Sequence, residues 1–239
     1  MMMNLNFCGK RLSYLIHVAF IFCACETSQK DESAPAAEPR IFNKVSSSHS
    51  GVTFRNTVEE NINNYFDLFA YVYNGGGVAI GDINNDGYSD LYFTGNEVAN
   101  KLYVNEGDMK FRDITETAGV QGSGRWNNGV TMVDINSDGL MDIYVCKGGW
   151  HDSEEQRRNL LFVNQGDLTF KEQAKEYGLD ERGYSIHASF FDMDNDNDLD
   201  VYITCRPDSF DLPLTEMVRQ KKLSPTQSRD KLYKNENGK

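Results

Sequence analysis

Three short stretches of this 239-residue sequence concentrate carboxylates in a spacing that suits a hard cation. Each reads Asp-x-Asn/Asp-x-Asp-Gly-x-x-Asp, with the sixth position Asn in the third copy. An ion such as Ca²⁺ takes six to eight oxygen ligands, and alternate residues of a tight turn can point their oxygens at a common centre. The first loop offers the side chains of Asp82, Asn84, Asp86 and Asp90, with the carbonyl of Tyr88. The second offers Asp134, Asn136, Asp138 and Asp142, with the carbonyl of Leu140, and the third Asp192, Asp194, Asp196 and Asp200, with the carbonyl of Asp198. Gly87 and Gly139 occupy the bend, where a positive φ and a clash with any side chain are expected; Asn197, the best substitute for glycine there, replaces them in the third loop. With four ligand carboxylates against three, the third loop is expected to bind most tightly. About three calcium ions per chain follow. A single such loop is also the signature of a polar turn, but three copies in the same context argue for a metal.

Stepping outward from the loops, the flanks must be strands. Gly77-VAIG and Leu91-YFT are rich in β-branched and aromatic residues, which disfavours EF-hands and dockerin-type loops, since both need helices. The twelfth positions, where an EF-hand needs Glu, are Phe93, Val145 and Ile203. The loop aspartates Asp82, Asp134 and Asp192 recur at intervals of 52 and 58 residues, and a second motif follows each: Asn100-KLYVNEGDMKFRDIT, Asn159-LLFVNQGDLTFKEQA and Asp230-KLYKNENGK. Each unit offers four apolar runs, in the first at 77–82, 90–94, 101–105 and 109–114, which is one blade of a β-propeller. The fold expected is all-β, a partial propeller of about three to three and a half four-stranded blades. Two readings cover the shortfall: the N-terminal piece of a longer protein, or a half-propeller that pairs with itself. From the last loop aspartate to the Asn after the third strand the chain runs 15, 22 and then 35 residues, the spacing 90→105, 142→164 and 200→235. A connection that lengthens while its repeat holds is a surface excursion, where recognition commonly sits. Within the longest, Thr215 to Lys222 is expected to be a short helix.

The N-terminus bears on compartment. Residues 1–24 hold no acid, a basic pair (Lys10, Arg11) and an apolar run from Tyr14 to Phe22, too short to span a bilayer and consistent with a signal peptide. Ala24-Cys25 resembles a lipobox, which makes Cys25 the expected lipidation site; simple secretion is the alternative. Residues 25–44 form a polar tether, and Lys30-Asp31-Glu32 within it reads either as a surface-export signal or as a plain spacer. The domain of repeats then runs over 45–239. The localisation expected is that of an exported outer-membrane lipoprotein exposed at the surface. Cys146 and Cys205 remain in the repeats, as two buried thiols or, less favoured, a disulfide.

Composition bounds the partners. The chain has 36 acidic against 24 basic residues, a net charge of −12, which disfavours nucleic acid and an anionic membrane surface. Membrane contact is expected only through the lipid. Eleven of the 36 acids lie in the three loops. Gly75-Gly76-Gly77 lacks a following Gly-Lys-Ser/Thr and precedes a strand, so it reads as close strand packing and not as a phosphate cradle. His187 aligns with Gly77 and Gly129 as a changed blade position. Trp126, Trp150, His151 and Phe210 are placed to stack on sugars or simply to pack. No catalytic constellation is visible.

The three loops, the repeated Leu/Ile/Val-Tyr after them, the Lys-Leu-Tyr-x-Asn motifs at 101–105 and 231–235, and Ser50-GVTFRNT followed by Tyr73-NGGGVAIGD resemble FG-GAP/VCBS repeats. More specifically they resemble the cartilage-acidic-protein-like (ASPIC/UnbV) lipoproteins of Bacteroidetes, from about residue 45 onward. The resemblance implies integrin-type blades with calcium in the strand-connecting loops, and a surface protein that binds or adheres to an extracellular protein or glycan. Two alternatives stay open: a propeller enzyme acting on polysaccharide with catalytic groups outside the calcium loops, and a structural subunit of an outer-membrane complex.

Overall fold

Short runs rich in β-branched and aromatic residues, broken by Asn, Asp and Gly, give strands and turns. The computed structural model describes residues 41–236 apart from 63–64, 66–70, 123–124, 150–152, 208–212 and 224–228. Lys10, Arg11, Cys25, the tether up to residue 40, Trp150, His151 and Phe210 lie outside the described residues, so the readings placed on them are not addressed by it. The chain divides between Asn43 and Lys44, and every regular element described belongs to the second unit.

The first sheet is a four-stranded antiparallel meander of β1 (Val78–Gly81), β2 (Asp90–Phe93), β3 (Lys101–Asn105) and β4 (Phe111–Asp113). The second repeats it with β5 (Asn127–Val133), β6 (Asp142–Lys147), β7 (Leu160–Asn164) and β8 (Phe170–Glu172). The third comprises β9 (Ser185–Phe191), β10 (Asp200–Cys205) and β11 (Lys231–Tyr233), paired in the same order among the described residues. Each strand falls within or beside a run marked out by its sequence. One-turn helices α1 (Ser47–Ser50) and α2 (Thr115–Ala118) punctuate the chain, and α3 (Leu214–Leu223) forms in the longest connection, one residue wider at each end than its pattern suggested.

Period-two alternation decides how the sheets stack. In β6, Ile143 and Val145 face the first sheet and Tyr144 and Cys146 the third; in β7, Leu160 and Phe162 divide from Leu161 and Val163 in the same way. The second sheet is therefore apolar on both faces, as a blade clamped between two blades must be. Its first strand, β5, packs against β1 on one side and β9 on the other, which puts the first strands of all three blades innermost. Close approach there requires glycine. A Cβ on Gly77 would lie 2.7 Å from the Asn128 carbonyl oxygen, and one on Gly129 would lie 2.5 Å from that of Ile186 and 2.8 Å from the His187 ring. The glycine run and His187 thus serve strand packing, as their sequence context suggested.

A buried tyrosine ties each of the first two blades to the chain that leads into the next. Tyr92 donates to the Val120 carbonyl at 2.7 Å and accepts from Asn100 Nδ2; Tyr144 donates to the Leu179 carbonyl at 2.9 Å and accepts from Asn159 Nδ2. In the third blade Asp230 replaces that Asn, and Tyr202 donates to its carboxylate at 2.8 Å. Tyr92 and Tyr144 are fully buried whereas Tyr202 is 38% exposed, and Leu232 is 52% exposed where Leu102 and Leu161 are sealed. The outward face of the third blade thus repeats the residue types that bury a neighbour in the first two. Cys146 and Cys205 are both free thiols at the interface of the second and third blades, and burial raises both above the ordinary thiol range, Cys205 to about 11. Trp126 is buried against Val72, with Tyr71 and Val58 alongside, so packing and not sugar stacking describes it.

Candidate metal centre

Antiparallel meanders put every first-to-second strand turn at one end of the sheets, and the three Asp-rich loops are these turns. In the first, the Asp82 carboxylate accepts from the backbone N–H groups of Asn84, Asp86 and Gly87, the last at 2.7 Å. Asn84 donates its amide to Asp86 at 2.9 Å, and Asp86 in turn accepts from Tyr88 N–H at 2.8 Å. The second loop repeats most of these bonds: Asp134 accepts from Asp138 and Gly139, Asn136 donates to Asp138, and Asp138 accepts from Leu140 N–H. In the third, Asp192 accepts from Asn195, Asp196 and Asn197, and Asp196 from Asp198 N–H. These bonds curl each turn tightly around its first aspartate.

Gly87, Gly139 and Asn197 have φ of +88°, +86° and +71°, as expected at the bend. The expected clash is absent, however: nothing lies within 4 Å of a Cβ placed on Gly87 or Gly139. Backbone conformation alone selects glycine here, which is why Asn197 is tolerated. A second left-handed residue, two places earlier, was not anticipated: Asn85, Ser137 and Asn195 at +56°, +59° and +63°. Asn in two of the three copies was the available signal.

The ninth position behaves differently from the rest of the donor set. Asp90, Asp142 and Asp200 open the second strand of each blade and are buried to within 1%. One oxygen of each accepts from the loop backbone, at Ile83, Ile135 and Met193 N–H, between 2.8 and 3.1 Å. The other accepts at 2.8 Å from the N–H of Asn105, Asn164 and Asn235, at or just beyond the end of the third strand. This explains the recurring Asn of the Leu-Tyr-x-Asn motif only in part, because any residue but proline supplies an N–H. The side chains add the rest: Asn105 and Asn164 cap the next turn by accepting from Gly107 and Gly166 N–H, at 2.9 and 3.0 Å. Sequence reasoning had not given these asparagines a role. Burial pushes Asp90 above the ordinary carboxylate range and Asp142 to about 6, with nearby loop aspartates adding to the rise and the backbone donors opposing it.

The residues fit a hard cation. The donor set is entirely oxygen, and in the third loop Asp192, Asp194 and Asp200 each place a carboxylate oxygen within 4.8 Å of the others. Neighbouring loops are joined as well. Asn85 donates to the Gly139 carbonyl at 3.0 Å, and Asn164 reaches from the second blade to the Ile83 carbonyl at 2.8 Å. A cation locking one loop would therefore stiffen the next.

At the opposite end lie the variable connections, and there the buried cations gather. Arg157 and Arg206 cover the Tyr184 ring at 4.4 and 4.3 Å, and Arg206 donates to the Gly148 carbonyl at 2.9 Å. Lys147 is buried close by in sequence, at the end of β6.

Comparison with known proteins agrees with the repeats. Residues 82–145 match the family profile described as FG-GAP-like repeat. The chain is 32% identical over 132 residues to cartilage acidic protein 1 of Xenopus tropicalis, a stretch covering 54% of this chain and 20% of that protein. It is 30% identical over 132 residues to cartilage acidic protein 1 of Homo sapiens, and 30% over 129 residues to that of Mus musculus, each across 19% of the relative. The aligned part thus spans about a fifth of the length of the curated relatives it matches. The resemblance to FG-GAP-like repeats and to cartilage acidic protein 1, argued from the loops and the Lys-Leu-Tyr-x-Asn motifs, is borne out, and so is the all-β, partial-propeller class, with the blades arranged as consecutive antiparallel sheets.

Proposed function

We propose that this chain is a calcium-stabilised, exported β-propeller module that binds a protein or glycan outside the cell. The observation that carries this reading is the threefold recurrence of one all-oxygen turn at the same end of three stacked blades, the first two turns tied together by Asn85 and Asn164. Asp82, Asn84, Asp86 and Asp90 would hold the first ion, with the corresponding side chains at 134–142 and 192–200 for the second and third. The carbonyls of Tyr88, Leu140 and Asp198 would complete the shells. The ion would supply structural charge compensation for packed carboxylates, with no chemical turnover. Lipidation at Cys25 and display at the outer membrane follow from the sequence of residues 1–40. The FG-GAP-like match and the similarity to cartilage acidic protein 1 support a non-enzymatic binding module.

Recognition is assigned to the end opposite the metal loops, where the connections between second and third strands vary in length and include α3. The full chain is expected to bind one class of ligand on an array of immobilised polysaccharides and extracellular proteins in millimolar calcium. That signal should vanish in EGTA and on trimming residues 208–228 to a short Gly/Ser turn. Hydrolysis of an arrayed polysaccharide, or binding indifferent to both changes, would contradict the proposal.

A further inference from the structure

The three loops are not equivalent, and the difference pairs two substitutions that lie 40 residues apart in the chain. The third loop has Asp194 where the others have Asn84 and Asn136, so it carries an additional ligand carboxylate. The third strand of the same blade ends at Tyr233 and is followed by Lys234-Asn235, and Lys234 stands where the first two blades have Val104 and Val163. Those valines are buried in the cores between blades. Lys234 instead reaches the loop, and its Nζ lies 2.7 Å from Asp194 Oδ2. In the first two loops the side chain at this position is an amide that donates to the loop's own Asp86 or Asp138. In the third loop the residue at this position is itself a carboxylate, and it forms an ion pair with a partner outside the loop.

We propose that Lys234 is a built-in counter-ion of the third loop, holding Asp194 when no metal is present and making this loop the weakest of the three cation sites. This rests on the calcium reading given above. A divalent ion that is to use Asp194 must displace the ammonium, and the displaced charge remains on the same strand end, close enough to repel the ion. The loop with the largest number of carboxylates is therefore not the tightest. It responds to calcium at concentrations where the first two are already filled, and it binds by exchange of one cation for another.

The test is a calcium titration of isotope-labelled full chain, followed through the backbone amide signals of Gly87, Gly139 and Asn197, one reporter per loop. In the unaltered protein the Asn197 signal is expected to reach half-saturation at a calcium concentration several-fold above the other two. Lys234→Met, which keeps the aliphatic stem and removes the charge, should lower the Asn197 midpoint by about tenfold, the scale expected for removing one nearby unit charge that is partly screened by solvent. The Gly87 and Gly139 midpoints should not move, and Lys234→Arg should leave Asn197 weak. An Asn197 midpoint equal to or below the others in the unaltered protein, or unmoved by Lys234→Met, would overturn the proposal while leaving calcium binding intact. Absence of any calcium-dependent shift at all three reporters would overturn the calcium reading itself, and this inference with it.

Discussion

Chelation of divalent cations should lower the melting temperature of this protein by about 15 °C or more. Each loop curls several carboxylates into nine residues. Burial raises the proton affinity of Asp142 against two opposing backbone donors, and Asp138 and Asp134 add to the rise. An ion bound only by the folded loop stabilises it by mass action, about 2.7 kcal/mol when free calcium is about 100 times the dissociation constant. Three loops contribute about 8 kcal/mol on that basis, and for a domain of about 200 residues each kcal/mol moves the midpoint by about 2–4 °C. Because Asn85 and Asn164 join the first two loops, loss of one ion loosens its neighbour, and the transition in EGTA should broaden as well as shift. Differential scanning calorimetry of the full chain with calcium and with EGTA measures both effects. An unchanged midpoint on a folded sample would refute metal stabilisation.

Asp142→Ala should cost about 3 kcal/mol even when no calcium is present, which separates it from the other loop acids. Its carboxylate is fully buried and accepts from Ile135 N–H at 3.1 Å and Asn164 N–H at 2.8 Å. Truncation leaves both donors buried without an acceptor, and each such loss costs about 1–3 kcal/mol. Relief of repulsion with Asp134 and Asp138 offsets part of this. Asp138→Asn provides the contrast. Asp138 is exposed, and an amide can still accept from Leu140 N–H, so in EGTA the change should stay within about 0.5 kcal/mol. In calcium both variants should lose stability, because both remove a ligand. Urea unfolding of the two variants and the unaltered chain, in calcium and in EGTA, gives the four differences. Equal costs for the two variants in EGTA would mean that Asp142 does not clamp the third strand.

The parts of this architecture that were legible in the sequence are those set by local rules. Short apolar runs bounded by Gly, Asn and Asp located the strands, because each blade face must be apolar where it meets another blade. The positive φ at Gly87, Gly139 and Asn197 followed from residue type alone. What escaped were relations between distant positions. That Asp90, Asp142 and Asp200 clamp the strand ends at Asn105, Asn164 and Asn235 depends on 15, 22 and 35 residues of intervening chain folding back. The Lys234–Asp194 pair is invisible until the third strand is laid beside the loop, and the proposal built on it runs against the simple expectation that more carboxylates bind more tightly. The supposed clash at Gly87 failed for another reason: steric room depends on what lies above the turn, and above this one there is only open space. The two-faced burial of β6 was implicit in Ile143-YVC, an unbroken apolar run, yet only the stacking of three sheets makes clear that Ile143 and Tyr144 serve different cores.

The central claim is that this chain folds around cations held at one end of its blades. Isothermal calorimetry of calcium into metal-free full chain, with the bound metal counted after gel filtration, tests it most directly. The account predicts about three ions per chain, two binding more tightly than the third. Absence of heat and of retained metal on a folded, metal-free protein would contradict it.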